Sequence, residues 1–294
     1  QRPDEKETVV QIKDLSFTYD DNPLQKVTAL HNVTMDSSRG EILGIVGATG
    51  SGKSTLAQHL NGLIRPEQKG KVLVLSLDLS EKKDVRQIRR LVGLLFQYPE
   101  DQLFEETVAL DIAFGPKELK FSHEELVANV ERAAEISGVS HLMERSPFEL
   151  SGGEQRRVAI AGVLALNPEI LIMDEPSAGL DPEGREGILR DLREFSEAGK
   201  TIVLISHDME AVARTADRLL IMSEGRVLAF ASPEEIFSNE ELLSQASLSL
   251  PATVEFLNIL KADYPELLTN AYSAEEGLYA LLTAYLDSLP KGGR

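Results

Sequence analysis

The stretch Gly47-Ala48-Thr49-Gly50-Ser51-Gly52-Lys53-Ser54-Thr55 decides the fold of this chain. It follows an apolar run over 41–46 (EILGIV) and precedes apolar residues at helical spacing, which together predict a strand, a tight turn and a helix. Its three glycines allow φ > 0, so that successive amide N–H groups can turn inward beside the N-terminus of the helix. The sequence therefore predicts a phosphate-binding loop for a nucleotide, in which Lys53 reaches the β- and γ-phosphates and the Ser54 hydroxyl binds Mg²⁺. The alternative is a glycine turn that precedes Lys-Ser by chance.

Composition and charge limit the kind of protein this is. The 294 residues suffice for one large α/β domain, alone or with an extension. The chain has no cysteine, which excludes disulfides and thiolate metal sites and suits a reducing compartment such as the cytoplasm. The net charge of −18 argues against a nucleic-acid partner and against direct docking on anionic lipid. No apolar run approaches the roughly 18 to 20 residues of a spanning helix, and the polar segment 1–7 predicts no secretory leader, so a role at a membrane would need another chain.

Hydrophobic periodicity predicts alternating strands and helices. The helix over 122–136 opens with a Ser-x-x-Glu capping box formed by Ser122 and Glu125. Helices between about 98 and 167 interrupt the strand series, which predicts an inserted helical subdomain. In chain order, we expect strands over 8–19, 27–35, 41–46, 72–79, 91–96, 170–174 and 201–205, and helices over 84–90, 107–114, 122–136 and 153–166.

Two carboxylates follow the apolar run ILIM over 170–173. Carboxylates at the end of a buried strand are costly unless they meet a cation, and Mg²⁺ is the ion that we expect. Asp174 would hold the metal through its water. Glu175 would accept a proton from the water that attacks the γ-phosphate, as a general base.

Three more side chains stand at strand ends, where α/β proteins place ligand-facing groups. Gln97 could touch Mg²⁺ and the attacking water, although most glutamines in loops are merely solvated. His207 ends an apolar strand at the same edge and could hold the γ-phosphate. Tyr19 could stack on a base or could simply cap its strand.

A second glycine-rich turn precedes the helix over 153–166. Ser151, Gly152, Gly153 and Glu154 lie at its N-terminus, where backbone N–H groups form an anion-binding nest. The alternative is an ordinary serine N-cap with a flexible turn.

Taken together, these motifs resemble the ATP-binding cassette (ABC) ATPase domain over roughly residues 8–237. The resemblance implies an α/β P-loop NTPase fold, with a RecA-like core, an antiparallel β subdomain and an inserted helical subdomain. It also implies that ATP and Mg²⁺ bind in a sandwich of two domains arranged head to tail. Each ATP would lie between the phosphate loop of one chain and Ser151-Gly152-Gly153 of the other, with Tyr19 stacked on the adenine.

Narrower features resemble the ATPases of energy-coupling factor transporters and their cobalt and nickel importer relatives. The segments 96–108 (FQYPEDQLFEETV) and 111–116 (DIAFGP) are similar to a stretch that marks this group, and 145–151 and 174–181 look more like the second of its two paired ATPase subunits. The resemblance implies a peripheral ATPase on the cytoplasmic face of the cell membrane. Its partners would be a second ATPase subunit, a transmembrane coupling subunit and a substrate-binding membrane subunit.

Two positions depart mildly from that pattern. Ala48 lies where relatives often carry histidine, and Glu154 lies where many ABC domains carry glutamine. Glu154 adds a negative charge at the edge of the nest, and this charge opposes the engagement of a γ-phosphate there. The acidic run formed by Glu100, Asp101, Glu105 and Glu106 is either a solvated loop or a docking surface for a basic helix of the coupling subunit.

The residues beyond about 242 fall outside the ATPase pattern. We expect an ATPase domain over 1–242 and a small helical extension over 243–294. Apolar residues recur there at helical spacing, namely Leu278, Leu281, Leu282, Tyr285, Leu286 and Leu289. That face either packs on its own domain or pairs two ATPase subunits, and the resemblance favours pairing.

Other functional classes remain as alternatives. A conventional ABC transporter ATPase shares the chemistry but not the segment 102–116. ABC proteins of DNA repair insert a long coiled coil and those of translation carry two ATPase domains, features that this sequence lacks. The sequence does not identify the transported substrate, for which a vitamin and a metal ion are both open, and it leaves open whether the partner ATPase is an identical copy or a paralogue.

Overall fold

The computed structural model describes residues 7–20, 26–180, 182–263 and 282–284. The strands are β1 Thr8–Tyr19, β2 Val27–Ser38, β3 Ile42–Val46, β4 Val72–Val74, β5 Leu77–Asp78, β6 Val92–Leu95, β7 Ile170–Asp174, β8 Thr201–Ile205, β9 Arg218–Ser223 and β10 Arg226–Ala231. The helices are α1 Lys53–Leu60, α2 Lys82–Leu91, α3 Val108–Glu118, α4 His123–Ile136, α5 Gly152–Leu164, α6 Pro182–Glu197, α7 Met209–Thr215, α8 Pro233–Phe237, α9 Glu240–Gln245 and α10 Ala252–Asp263. No helix in these ranges is long and apolar enough to cross a bilayer.

A six-stranded sheet places the candidate site. Its strand order is β10-β9-β3-β8-β7-β6, and all neighbours run parallel except the β9–β10 hairpin. Every residue of β3, β7 and β8 is buried, because helices or a second sheet cover both faces. Since the strands are parallel, the carboxyl ends of β3, β6, β7 and β8 meet at one edge.

A four-stranded antiparallel sheet, in the order β2-β1-β4-β5, packs on one face of the larger sheet. The core between the sheets includes the buried side chains of Ile12, Leu30, Leu56 and Ile172. The expectation of a single strand over 72–79 is wrong. Leu75 and Ser76 have φ of 49° and 64°, and a two-residue turn with two positive φ angles reverses the chain into the β4–β5 hairpin.

Arg218 links the two sheets. Its guanidinium donates to Glu41, which precedes β3, and to the Asp36 carboxylate on β2 at 3.0 Å, while it lies 4.4 Å from the ring centroid of Phe230. Burial alone would raise the pKa of Glu41, but Arg218 and the Ser38 N–H outweigh burial and hold that pKa below its usual value. The two sheets are therefore joined by charge as well as by apolar packing.

Helices α3, α4 and α5 form a block with its own hydrophobic core, which includes Val108, Ile112, Val130, Leu142 and Val158. The predicted capping box of α4 is confirmed, with Ser122 and Glu125 bonded in both directions. These helices lie where the sequence predicts a helical subdomain.

The segment after residue 242 continues the packing of the larger domain. Leu243 and Ala246 lie in the core beneath the six-stranded sheet, Leu257 is 2% exposed, and Thr253 bonds the Glu210 carboxylate on α7. The boundary after 242 stays a prediction. The tail residues Tyr264, Tyr272, Leu278, Tyr279, Leu281, Tyr285, Leu286 and Leu289 lie outside the described residues, and Leu282 is 58% exposed.

Candidate functional site

The phosphate loop, residues 47–55, lies against the β9–β10 hairpin. Its glycines have φ angles of 154°, 81° and 100° in chain order, so all three adopt the positive φ that the sequence predicts. A Cβ on Gly47 would lie 2.1 Å from the Met222 carbonyl oxygen, and the Ser51 carbonyl accepts a 3.1 Å hydrogen bond from the N–H of Gly225. Ala48, Thr49 and Gly50 form the exposed tip of the loop. Only glycine at 47 permits this close approach.

Lys53 begins α1 directly after Gly52, and its amine folds back over the loop. The amine donates to the carbonyls of Gly47 at 2.7 Å and Ala48 at 3.0 Å. Burial lowers the pKa of Lys53, while the carboxylates of Glu175 and Asp174 act in the opposite direction. The cation is thus held inside the loop, next to the carboxylates that follow β7.

Ser54 and Asp174 meet across 120 positions of sequence. The Ser54 hydroxyl donates to the Asp174 carboxylate at 2.7 Å, and Asp174 is 8% exposed. Burial raises the pKa of Asp174, while the Ser54 hydroxyl acts to lower it. A hydroxyl and a buried carboxylate are the oxygen donors that Mg²⁺ takes in phosphate sites, so the pair fits that ion. The described residues contain no cluster of three or more metal-binding side chains, and a metal here would draw its other ligands from phosphate and water.

Glu175 is held in place by the end of β8. One carboxylate oxygen, Oε1, accepts the backbone N–H of His207 at 2.9 Å and contacts its ring nitrogen Nδ1 at 2.7 Å. The other, Oε2, lies 3.4 Å from the Ser206 hydroxyl. The backbone of Glu175 has φ of 52°, a rare conformation for a residue with a side chain. The carboxylate therefore has a fixed orientation at the sheet edge.

His207 exposes 72% of its side chain while its ring nitrogen Nδ1 contacts Glu175. Because Nδ1 faces the carboxylate, Nε2 is the ring nitrogen left to contact a phosphate. The sequence predicted a contact with phosphate. The contact with Glu175 that the structure adds could have been anticipated, since both residues follow adjacent parallel strands.

Gln97 stands two residues beyond β6, the strand beside β7. Leu95 of β6 pairs with Met173 of β7, so Gln97 and Asp174 lie at the same edge. Gln97 is exposed and has no hydrogen-bond partner among the described residues. The structure thus brings its backbone to the site, and its contact with Mg²⁺ and water stays a prediction.

Tyr19 lies at the end of β1, beside the first turn of α1. Its hydroxyl is 3.2 Å from that of Thr55, and its ring makes an edge-to-face contact with Phe17 at 4.9 Å between centroids. Tyr19 is half-buried, so part of the ring is open to a ligand next to the phosphate loop. This location is compatible with the predicted adenine contact, which stays a prediction.

The residues 151–154 form a capping box. The Ser151 hydroxyl and N–H donate to the Glu154 carboxylate at 2.7 and 2.8 Å, and these hydrogen bonds hold the pKa of Glu154 below its usual value. A Cβ on Gly152 would meet no atom of this chain within 4 Å. Nothing in the chain itself requires glycine there, which favours an approach from outside. The nest lies on the helical block, and no hydrogen bond joins it to the phosphate loop within the described ranges.

Arg156 is a site residue that the sequence analysis missed. It lies one turn into α5 and is 3% exposed, and its guanidinium donates to the carbonyls of Glu175 at 2.9 Å and Ala178 at 2.6 Å. A backbone carbonyl has no sequence signature, so no pattern could have predicted these bonds. The position of Arg156 two residues after the nest was the single available clue.

The acidic run after Gln97 is not uniformly exposed. Glu100 exposes 24% of its side chain and has Oε2 at 3.9 Å from Nη1 of Arg156, whereas Asp101 and Glu106 are exposed. A docking surface for a basic helix would therefore use Asp101 and Glu106 rather than Glu100.

Comparison with known proteins identifies relatives. The family described as "ABC transporter" matches residues 30–178. The energy-coupling factor transporter ATP-binding protein EcfA2 of Caldanaerobacter subterraneus is 48% identical over 245 residues, which cover 82% of this chain and 85% of that protein. The protein of the same name from Symbiobacterium thermophilum is 50% identical over 235 residues, covering 79% and 81% of the two chains.

Solved structures agree in fold. The structure of cbiO1 from Clostridium perfringens, part of the ABC transporter complex cbiONQ, matches 86% of this chain and all of that chain, with a TM-score of 0.71 and 34% identity. The dimeric ATP-binding cassette MJ0796, bound to ADP and Pi in a post-hydrolysis state, matches 76% of this chain and 98% of that chain, with a TM-score of 0.68 and 28% identity.

Proposed function

This chain belongs to the ABC transporter family, and we propose that it binds and hydrolyses ATP as one of two paired ATPase subunits of an energy-coupling factor importer. The observation that carries the proposal is the 2.7 Å hydrogen bond between Ser54 of the phosphate loop and Asp174 at the end of β7. That bond brings the predicted phosphate-binding and metal-binding residues together, with the predicted base, Glu175, next in the chain.

The phosphate loop would bind the β- and γ-phosphates of ATP. Lys53 already points into the loop through its bonds to the Gly47 and Ala48 carbonyls, which phosphate oxygens would replace. Ser54 and Asp174 would hold Mg²⁺, directly or through water, with Gln97 at the same edge. The ion would supply charge neutralisation for the transferred phosphoryl group. Tyr19 would contact the adenine.

Glu175 would act as the general base. It accepts a proton from the attacking water, and its carboxylate already has a fixed orientation through the His207 backbone. His207 would contact the γ-phosphate from the same edge through Nε2, the ring nitrogen that does not face Glu175. The carboxylate would thus act on the entering water and the imidazole on the γ-phosphoryl group that the water attacks, and ADP is the leaving group.

The second half of each site would come from the paired subunit. Ser151, Gly152, Gly153 and Glu154 have no contact with the phosphate loop of their own chain in the described ranges, and the open space beside Gly152 suits the approach of a bound γ-phosphate. Glu154 would have to release the Ser151 hydroxyl for that contact. The extension over 243–294 would contribute to pairing, a role supported by Phe256 and Ile259, which are 44% and 59% exposed on α10.

We place the subunit on the cytoplasmic face of the cell membrane as a peripheral component. A transmembrane coupling subunit would dock on the helical block, near Asp101 and Glu106, and a substrate-binding membrane subunit would select a vitamin or a metal ion. The named relatives are ATP-binding proteins of such transporters, which supports this assignment.

The test is Glu175→Gln, measured as MgATP hydrolysis by the full chain assembled with its partner subunits. We expect hydrolysis to fall by roughly a hundredfold or more, the usual loss when a positioned general base is removed, while ATP binding persists. The ATP-bound pair should then accumulate and be detected by light scattering.

Glu131→Gln is the matched control, because it removes the same charge from an exposed position on α4. It should hydrolyse ATP at the wild-type rate. Near-normal turnover by Glu175→Gln would remove Glu175 from the base role, and absence of hydrolysis by the wild-type assembly would overturn the proposed function itself.

A further inference from the structure

Arg156 is a buried cation that contacts two ends of one turn in the candidate site. Its side chain is 4% exposed, and its two terminal nitrogens donate separately to the carbonyls of Glu175 and Ala178. A guanidinium is a planar fork of donors and can hold two acceptors at once, which a lysine amine cannot do with the same geometry. Arg156 therefore fixes the turn over 175–178 from the direction of α5.

That turn requires outside support. Glu175 has φ of 52° and precedes Pro176, and this region of backbone conformation is strained for a residue with a side chain. Such a conformation persists only when surrounding contacts determine it. The N–H of Glu175 donates to the Ile205 carbonyl at 2.9 Å, and its carbonyl accepts from Arg156 and from the N–H of Ala178 at 3.2 Å. Among side chains in the described ranges, Arg156 is the one that binds this carbonyl.

Glu100 approaches the guanidinium of Arg156 without forming a hydrogen bond. Its Oε2 lies 3.9 Å from Nη1, and both Oε2 of Glu100 and Nε of Arg156 are buried without a hydrogen-bond partner. A charge-assisted hydrogen bond spans about 2.7–2.9 Å, so a shift of about 1 Å would form one. Glu100 lies three residues after Gln97, in a short 3-10 helix over Pro99–Gln102. A movement of this segment would therefore act directly on the arginine.

We infer that Arg156 is a positioning residue for hydrolysis, which holds the backbone of Glu175 in its strained conformation and adjusts that hold when Glu100 moves with the segment after Gln97. The inference rests on the proposed role of Glu175 as general base. It goes further by linking the nucleotide-facing loop after β6, the helix that follows the nest, and the base itself through one side chain. A purely structural arginine would affect folding but not the rate of each folded site.

The experiment compares Arg156→Gln and Arg156→Lys with the wild type in the full assembly. The hydrolysis rate at saturating ATP is divided by the concentration of ATP bound at saturation, which gives kcat per folded site. Misfolded protein binds no ATP and is therefore left out of this value. Misplacing a catalytic group by about 1 Å can cost up to a hundredfold, so we expect Arg156→Gln to lower kcat by about tenfold or more with the ATP Kd within about twofold. Arg156→Lys keeps the positive charge but loses the planar pair of donors, so its kcat should lie between those of the wild type and Arg156→Gln.

Arg132→Gln is the matched control, since it removes an exposed arginine from the same helical block, where its partner is Asn129. It should leave kcat per site unchanged. Equal kcat per site in Arg156→Gln and in the control would overturn the positioning role, even if Arg156→Gln lowers the melting temperature.

Glu100 is tested by a double-mutant cycle. If Glu100 acts through Arg156, then Glu100→Gln should lower kcat in the wild type but have no further effect in Arg156→Gln. Independent, multiplying effects would overturn the link to Glu100. Including Glu175→Gln separates the two proposals. If Glu175→Gln loses hydrolysis while Arg156→Gln keeps the wild-type kcat, only the inference about Arg156 is refuted. If Glu175→Gln keeps the wild-type kcat, the assignment of the general base, on which the inference rests, is refuted.

Discussion

Replacing Gly47 by alanine tests how the phosphate loop is held. A Cβ there would lie 2.1 Å from the Met222 carbonyl oxygen and 2.8 Å from the Ser51 hydroxyl, at a backbone φ of 154°. A non-bonded carbon and oxygen need about 1 Å more than the 2.1 Å between this Cβ and the Met222 oxygen. In addition, this φ region is essentially restricted to glycine, and another residue there costs about 1–3 kcal/mol. Strain and overlap together should lower the free energy of unfolding by about 3–5 kcal/mol, within the range of severe single mutations.

Gly50→Ala is the matched control in the same loop. Its φ of 81° is also positive, but a Cβ would meet no atom within 4 Å. The left-handed conformation costs about 1–2 kcal/mol, and the stiffer unfolded chain returns about 0.4–1 kcal/mol, so the net loss should lie between about 0 and 1.6 kcal/mol. At roughly 2–4 °C per kcal/mol, we expect Gly47→Ala to melt about 10 °C below the wild type and Gly50→Ala within about 6 °C of it.

The assay is thermal and urea unfolding of the nucleotide-free chain, followed by circular dichroism. Because the clash is with a backbone carbonyl, shortening the Met222 side chain should not relieve it. Equal losses for Gly47→Ala and Gly50→Ala, or recovery of Gly47→Ala by a second change Met222→Ala, would refute the proposed contact between the loop and the hairpin.

Two further predictions concern charged side chains. Lys53→Ala should abolish the rise in melting temperature that MgATP gives the wild type, because it removes the cation aimed at the transferred phosphoryl group; an unchanged rise would contradict the placement of the loop. Arg218→Met should destabilise the protein by about 2 kcal/mol at pH 7, because it leaves the Glu41 carboxylate, which is 6% exposed on its side chain, without a cation. The pKa of Glu41 is depressed in the wild-type fold, so its stabilising contribution is present above about pH 4.5 and is lost as the pH falls through the depressed value. The difference in free energy of unfolding between the wild type and Arg218→Met should therefore shrink on acidification. Urea unfolding of the two proteins at pH 7 and at pH 3.5 measures the loss of stability and its pH dependence. A larger difference in free energy of unfolding at pH 3.5 than at pH 7 would contradict the predicted direction.

Much of the site could be predicted from the sequence because its residues follow short apolar strands. Asp174 is the last residue of β7 and His207 lies two residues after the end of β8, and parallel strands bring their carboxyl ends to one edge wherever the chain runs between them. The glycine positions of the phosphate loop and the Ser122 capping box were similarly predictable, because both depend on residues close in sequence.

Contacts between a side chain and a distant backbone group could not be predicted. Arg156 binds carbonyls 19 and 22 positions away, and every residue has a carbonyl, so the sequence gives no sign of which one is chosen. The β4–β5 turn was missed for a related reason. Leu75 and Ser76 lack the glycine or asparagine that usually indicates two positive φ angles, and the pairing of β4 with β1 favours the turn instead.

The link through Arg218 connects the two sheets from which the candidate site is built. Tyr19 belongs to the four-stranded sheet, whereas the phosphate loop extends from the six-stranded sheet, so a nucleotide that makes both of the predicted contacts would touch both sheets. Arg218 joins Asp36 of the first sheet to Glu41 at the start of β3 in the second, and therefore opposes the sliding of one sheet against the other. We therefore expect a nucleotide to find its two contact regions already at a set separation, so that binding requires no rearrangement of the sheets.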